Sequence, residues 1–103
     1  MRRLLLLVVL LCSFPALSQN AVVHINAEFN QSNDWYGLNI LEGVKVYNGY
    51  LETNAAMKER YNITKVPTLI LYKDGEEIKR WEGGLDMKLN VNPKDVQWEI
   101  DKL

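Results

Sequence analysis

Cysteine is almost missing from this chain. The one present, Cys12, sits in an apolar run near the start. A single thiol cannot close an intramolecular disulfide, and the rest of the chain has neither a thiolate nucleophile nor a thiolate metal ligand. Histidine is equally scarce: His24 stands alone, so an imidazole-based metal site has no second ligand to build on. Basic excess is absent too. Twelve Lys and Arg against thirteen Asp and Glu give a formal charge of −1, no electrostatic case for nucleic acid or an anionic lipid surface. The sequence also lacks a Ser–His–acid arrangement and a glycine loop that cradles phosphate, so no enzyme class, cofactor or metal is expected. No repeat or linker divides the 103 residues, which bounds the chain to one domain.

What is there begins with an address. Met1-Arg2-Arg3 is a short basic start, Leu4 to Cys12 is unbroken and apolar, and Phe14-Pro15-Ala16-Leu17-Ser18 adds a helix breaker and small residues. That is the pattern of a secretory signal peptide over residues 1–18, cut after Ser18. The apolar run is shorter than the roughly 20 residues that span a bilayer. A lipidated Cys12 is disfavoured because Leu11, not a small residue, precedes it. The expectation is a domain over residues 19–103, exported to a periplasmic or extracellular space. It would meet a membrane only through an uncleaved signal or a lipidated Cys12. Monomer is the expected state.

Ala21 to Asn26 reads as a buried strand, apolar and β-branched. Asn30 to Asn33 is loop chemistry. The spacing of Trp35, Leu38 and Leu41 predicts a short helix capped by Ser32 or Asn33, weakened by Gly37 and ended by Gly43. Val44 to Tyr47 is a second strand. Thr53 or Asn54 caps a helix over 55–61, which Val66-Pro67 must break. Thr68 to Tyr72 is an apolar strand, Asp74-Gly75 a tight hairpin turn, and Glu77 to Glu82 the return strand. Asn92 then caps a last helix with Pro93 in its first turn and Val96, Ile100 and Leu103 as its apolar stripe. Some of Trp35, Tyr36, Tyr47 and Tyr50 are expected to cover the sheet, any left exposed beside Pro67 forming a binding surface instead, and Trp81 and Trp98 to pack. His24 is expected to be a hydrogen-bonded core residue. Alternation followed by a hairpin implies an α/β fold, a mixed sheet covered by helices.

That order, with its residues, resembles the thioredoxin family. Val22 to Phe29 looks like the family's first central strand, which leads into its Cys-Gly-Pro-Cys site. Tyr61 to Thr68, continuing through Asp74-Gly75, looks like its second half: a short helix, an X-Pro-Thr turn, a strand and a glycine hairpin. The resemblance covers about Ala21 to Leu103. It implies a thioredoxin-like mixed sheet of about four strands, a first long helix shortened by the brevity of the Ala27–Val44 connection, and a cis bond before Pro67.

The departures matter more. The two family cysteines fall on Asn30 and Asn33, and the family's buried carboxylate falls on His24. An amide forms no mixed disulfide, so dithiol catalysis by this chain is not expected. The resemblance instead implies a binding groove lined by Phe29, Asn30, Asn33, Trp35, Val66 and Pro67, holding an extended peptide or a partner protein. Asn30 and Asn33 read equally well as solvated loop residues left after the cysteines were lost. Alternatives are a structural or assembly subunit of an envelope complex, or a part in redox homeostasis only through partners.

Overall fold

The computed structural model describes residues 20–103. The signal-peptide reading and Cys12 lie outside the described residues. Four strands form one sheet: β1 (Asn20–Asn26), β2 (Lys45–Tyr50), β3 (Thr68–Lys73) and β4 (Glu76–Glu82), in the order β2-β1-β3-β4. β2 runs parallel to β1, while β1–β3 and β3–β4 are antiparallel. Two α-helices, α1 (Ala56–Arg60) and α2 (Pro93–Asp101), flank it. This is the expected α/β mixed sheet.

The central strands β1 and β3 are buried on both faces, which is why both read as nearly continuous apolar runs. On one face Val22, Leu69 and Leu71 pack with Trp35, Leu89, Val96 and Ile100, so α2 lies there. On the other, Val23, Ile25 and Ile70 pack with Ile63, with Met57 and Tyr61 from the α1 region against them. Each fully buried Leu or Ile contributes about 1.5–3 kcal/mol through the water it escapes.

Local signals in the second half act as read. Asp74 and Gly75 take φ of 52° and 86°, the two positive values a tight hairpin of this kind needs. The side chain of Asn92 accepts from Lys94 N–H at 2.9 Å, with Pro93 in the first turn of α2. Trp81 is half-buried against the α2 cluster. Trp98 is a correction: it is exposed, with Lys102 Nζ 3.8 Å from its ring centroid, because it lies off the Val96–Ile100 stripe.

Two helix readings also change. No side chain caps α1; Thr53 Oγ1 instead donates to Tyr50 O and closes the turn after β2. Nor does Pro67 end that helix. Asn62 does so earlier, at φ 53°, with Ile63 N–H donating to Lys58 O and Asn62 N–H to Glu59 O.

The larger correction is the first helix. Between β1 and β2 no α-helix forms; 3₁₀ turns span Glu28–Asn33 and Leu38–Ile40, with Asp34 extended between them. The Trp35–Leu38–Leu41 spacing is genuine, yet the chain turns out at Asp34 to drive Trp35 into the core. Gly37 permits this, since a Cβ there would sit 2.6 Å from the Trp35 ring and 2.8 Å from Pro93 Cγ. Tyr36 and Tyr47 are exposed, so the expected aromatic cover reduces to Trp35 and the half-buried Tyr50.

Candidate functional site

The C-terminal end of β1 meets the N-terminal end of β3, with Ile25 facing Thr68 across the ladder. The residues singled out from the sequence gather at that end. Asn26, fully buried, closes β1 and organises the 3₁₀ turn after it. Its Nδ2 donates to Asn30 O at 2.9 Å and to Asp34 Oδ1 at 2.7 Å. Asn30 Nδ2 donates back to Asn26 Oδ1 at 3.0 Å and across to Met87 O, also at 3.0 Å. Asn33 Nδ2 donates to Asn30 Oδ1 at 2.7 Å. Tyr50 OH donates to Asp34 Oδ2, and that hydrogen bond raises the phenol above its usual pKa.

The solvated-loop reading of Asn30 is therefore overturned. Only 5% of it is exposed, both amide hydrogens are engaged and its carbonyl oxygen accepts from Asn33. Such pairing is what makes a buried amide tolerable, because an unsatisfied one costs about 1–3 kcal/mol. Asn30 thus holds the loop to the 84–87 turn and has no free amide hydrogen for a ligand. Asn33 is half-buried, and Phe29 projects with 75% of its surface exposed.

Trp35 does not line a groove. It is 4% exposed in the α2-side core, its Nε1 donating to Val91 O at 3.1 Å. The reason is again the break at Asp34, which directs residue 35 back over the sheet.

The Val66–Pro67 peptide bond is cis. Pro67 is fully buried, its carbonyl accepts from Gly83 N–H at 2.8 Å, and Val66 is half-buried against the α1-side cluster. Gly83 has to be glycine: a Cβ there would stand 2.7 Å from Val66 O and 3.0 Å from Pro67 Cδ. From Gly83 the chain reaches Leu85, which is fully exposed, and Met87, whose carbonyl holds Asn30. The polar clasp thus stands at the end of the sheet where Phe29 and Leu85 are exposed and Val66 is half-buried.

His24 lies fully buried next to the clasp. Trp35 N–H donates to its Nε2 at 3.3 Å, so Nδ1 carries the proton and donates to Asn48 Oδ1 at 2.8 Å. Burial pushes its pKa below the usual 6.5, with the Asn48 bond and the nearby Asp34 charge pulling partly back. The imidazole is neutral and structural. Among the described residues no group of three or more His, Cys, Asp or Glu could hold a metal ion.

Asn26, Asp34 and Met87 were not legible as site residues. A hint existed for the first: Asn26, Asn30 and Asn33 recur at spacings of four and three, the first closing an apolar strand. Met87 contributes only its backbone, which no side-chain pattern announces.

No family model and no curated protein matches this sequence. Solved structures do. A mutant thioredoxin from Halobacterium salinarum superposes with a TM-score of 0.63 at 19% identity, over 82% of this chain and 74% of that one. Thioredoxin-2 of the malaria parasite, a component of its protein secretion machinery, gives 0.62 at 15% identity over 82% and 84%. Fasciola hepatica thioredoxin gives 0.57 at 18% identity over 82% and 81%. At such identities the likeness is one of fold.

Proposed function

From a thioredoxin-like fold with no thiol at the end of β1, we propose an exported, non-catalytic binding module that holds an extended peptide or a segment of a partner protein beside Pro67. The observation that carries this reading is the asparagine clasp. The resemblance puts the family's dithiol at Asn30 and Asn33, and both are hydrogen-bonded amides that hold this end of the sheet in shape but cannot form a disulfide themselves. In front of the clasp, Phe29 and Leu85 stay exposed at a position where neither contributes to the core. Large apolar side chains held out on a firm support are what a binding surface needs. Phe29, Leu85, Val66 and Asn33 make the contacts; Asn30 and Pro67 hold them in place.

The test is affinity selection of extended peptides from a displayed library on the immobilised protein, followed by titration of Phe29→Ala. Because Phe29 is exposed, the variant folds, and affinity should fall by at least about 1–2 kcal/mol. Unchanged affinity for every selected peptide would sink the groove reading. An assembly subunit is the second reading, favoured by the outer strand β2, which has no strand partner but β1 among the described residues.

A further inference from the structure

The sheet has two outer edges, β2 and β4, and they are built differently. Five of the seven residues of β4 are charged (Glu76, Glu77, Lys79, Arg80 and Glu82). Its ladder with β3 is also interrupted between Leu71 and Tyr72, leaving Ile78 as the extra residue of a bulge. Arg80 reaches off the strand to Glu77 and to the carbonyls of Tyr61 and Asn62. Charge and a bulge are the devices by which an exposed edge avoids pairing with another chain.

β2 has neither. Of Lys-Val-Tyr-Asn-Gly-Tyr only Lys45 is charged, and its register with β1 runs from Lys45 to Tyr50 without a shift. Val46 and Tyr47, on opposite faces of the sheet, remain 37% and 45% exposed. Among the described residues, no backbone partner outside the β1 ladder is found for Lys45 to Gly49. Such an edge is a template for an added strand.

We propose that the occupant is β2 of a second copy of this chain, paired antiparallel across a two-fold axis to join the two sheets into one. Facing residues in an antiparallel pair turn their backbone groups the same way, so the axis must pass beside a single residue. Centred on Tyr47, the pairing sets Tyr47 against Tyr47, Val46 against Asn48 and Lys45 against Gly49 of the second copy. Centred on Asn48, it sets Tyr47 over Gly49 and Val46 against Tyr50. Aromatic–aromatic and aromatic–β-branched pairs of this kind are favourable, and in both registers Lys45 faces an uncharged residue. The strand is thus its own complement, whereas β4, dense with charge, is a poor acceptor of it. The edge lies two strands away from β3 and Pro67, so the groove stays open in the dimer and either proposal can fail alone.

Sedimentation equilibrium of the purified protein from about 1 μM to about 1 mM tests this. The average mass should climb from one chain towards two. Tyr47→Lys or Val46→Lys should shift the association at least about tenfold to higher concentration, while Ile78→Lys on the other edge leaves it unchanged. Hydrogen exchange of the unaltered protein supplies a readout independent of the variants: β2 amides should gain protection as concentration rises. A single-chain mass throughout, an association indifferent to Tyr47→Lys and Val46→Lys, or β2 exchange independent of concentration would overturn the proposal.

Discussion

The two halves of this sheet are held by different forces. β3, β4 and α2 are joined by a tight hairpin, a capped helix and apolar packing, the ordinary means of a small domain. β1 and β2 are joined by a connection with no α-helix, where Asn26, Asn30, Asn33, Asp34 and Tyr50 hold one another by side-chain hydrogen bonds and His24 bonds beside them to Asn48 and the Trp35 N–H. Backbone order can be lost where side-chain order replaces it. The replacement is costlier per contact, because each buried amide must be fully partnered. It is also more local, since a hydrogen bond is directional where apolar packing is shared among many neighbours.

Removing apolar packing should act on both halves at once. Leu69→Ala, at a fully buried position in a central strand, should lower stability by about 2–5 kcal/mol in urea denaturation, with exchange rising throughout the sheet. Asn26→Ala strikes only the clasp and should cost about 1–3 kcal/mol. Hydrogen exchange should then quicken in Glu28–Tyr36 and β2 while β3 and β4 stay protected. Uniform loss would mean that the halves are not separable.

Acid offers a gentler probe of the same region. Unfolded, His24 titrates near 6.5, and burial lowers that value in the fold. The unfolded chain then takes up a proton that the folded one resists. Stability should be full above pH 6.5 and decline as pH falls from there towards the lowered folded value. Denaturation midpoints between pH 8 and 5 measure this, and His24→Gln should remove the His24 share of the slope. The smallest effect belongs to the second half. Arg80→Ala, losing a solvent-facing pair with Glu77, should cost about 1 kcal/mol or less, and its mark should be faster exchange at Ile63.

Legibility followed the same division. Asp74-Gly75, Asn92-Pro93 and the two central strands act through residues adjacent in sequence, so their chemistry could be read directly. The crossover could not. Its Trp35–Leu38–Leu41 spacing is helical, but Trp35 is claimed by Val91 O and His24, residues 56 and 11 positions away. Of the groove residues read from the sequence, Phe29, Asn33, Val66 and Pro67 gather at one end of the sheet, Asn30 turns into its support, and Trp35 departs for the core. The feature that mattered most, a single cysteine outside the described residues, needed no structure at all.

By itself the sequence determined the absence of a dithiol, the strand and hairpin order, and the stripe of the last helix. These depend on composition, or on contacts within a few residues. Tertiary structure alone decided that Asn30 is buried, that β1 leads into 3₁₀ turns, and that one edge of the sheet is armoured while the other has no second strand partner among the described residues. Each of those depends on groups far apart in the chain, such as Met87 O reaching Asn30, Pro93 against Gly37 and Arg80 against Tyr61. A buried polar group takes whichever conformation satisfies its hydrogen bonds, and its partners are known only once the chain has closed around it.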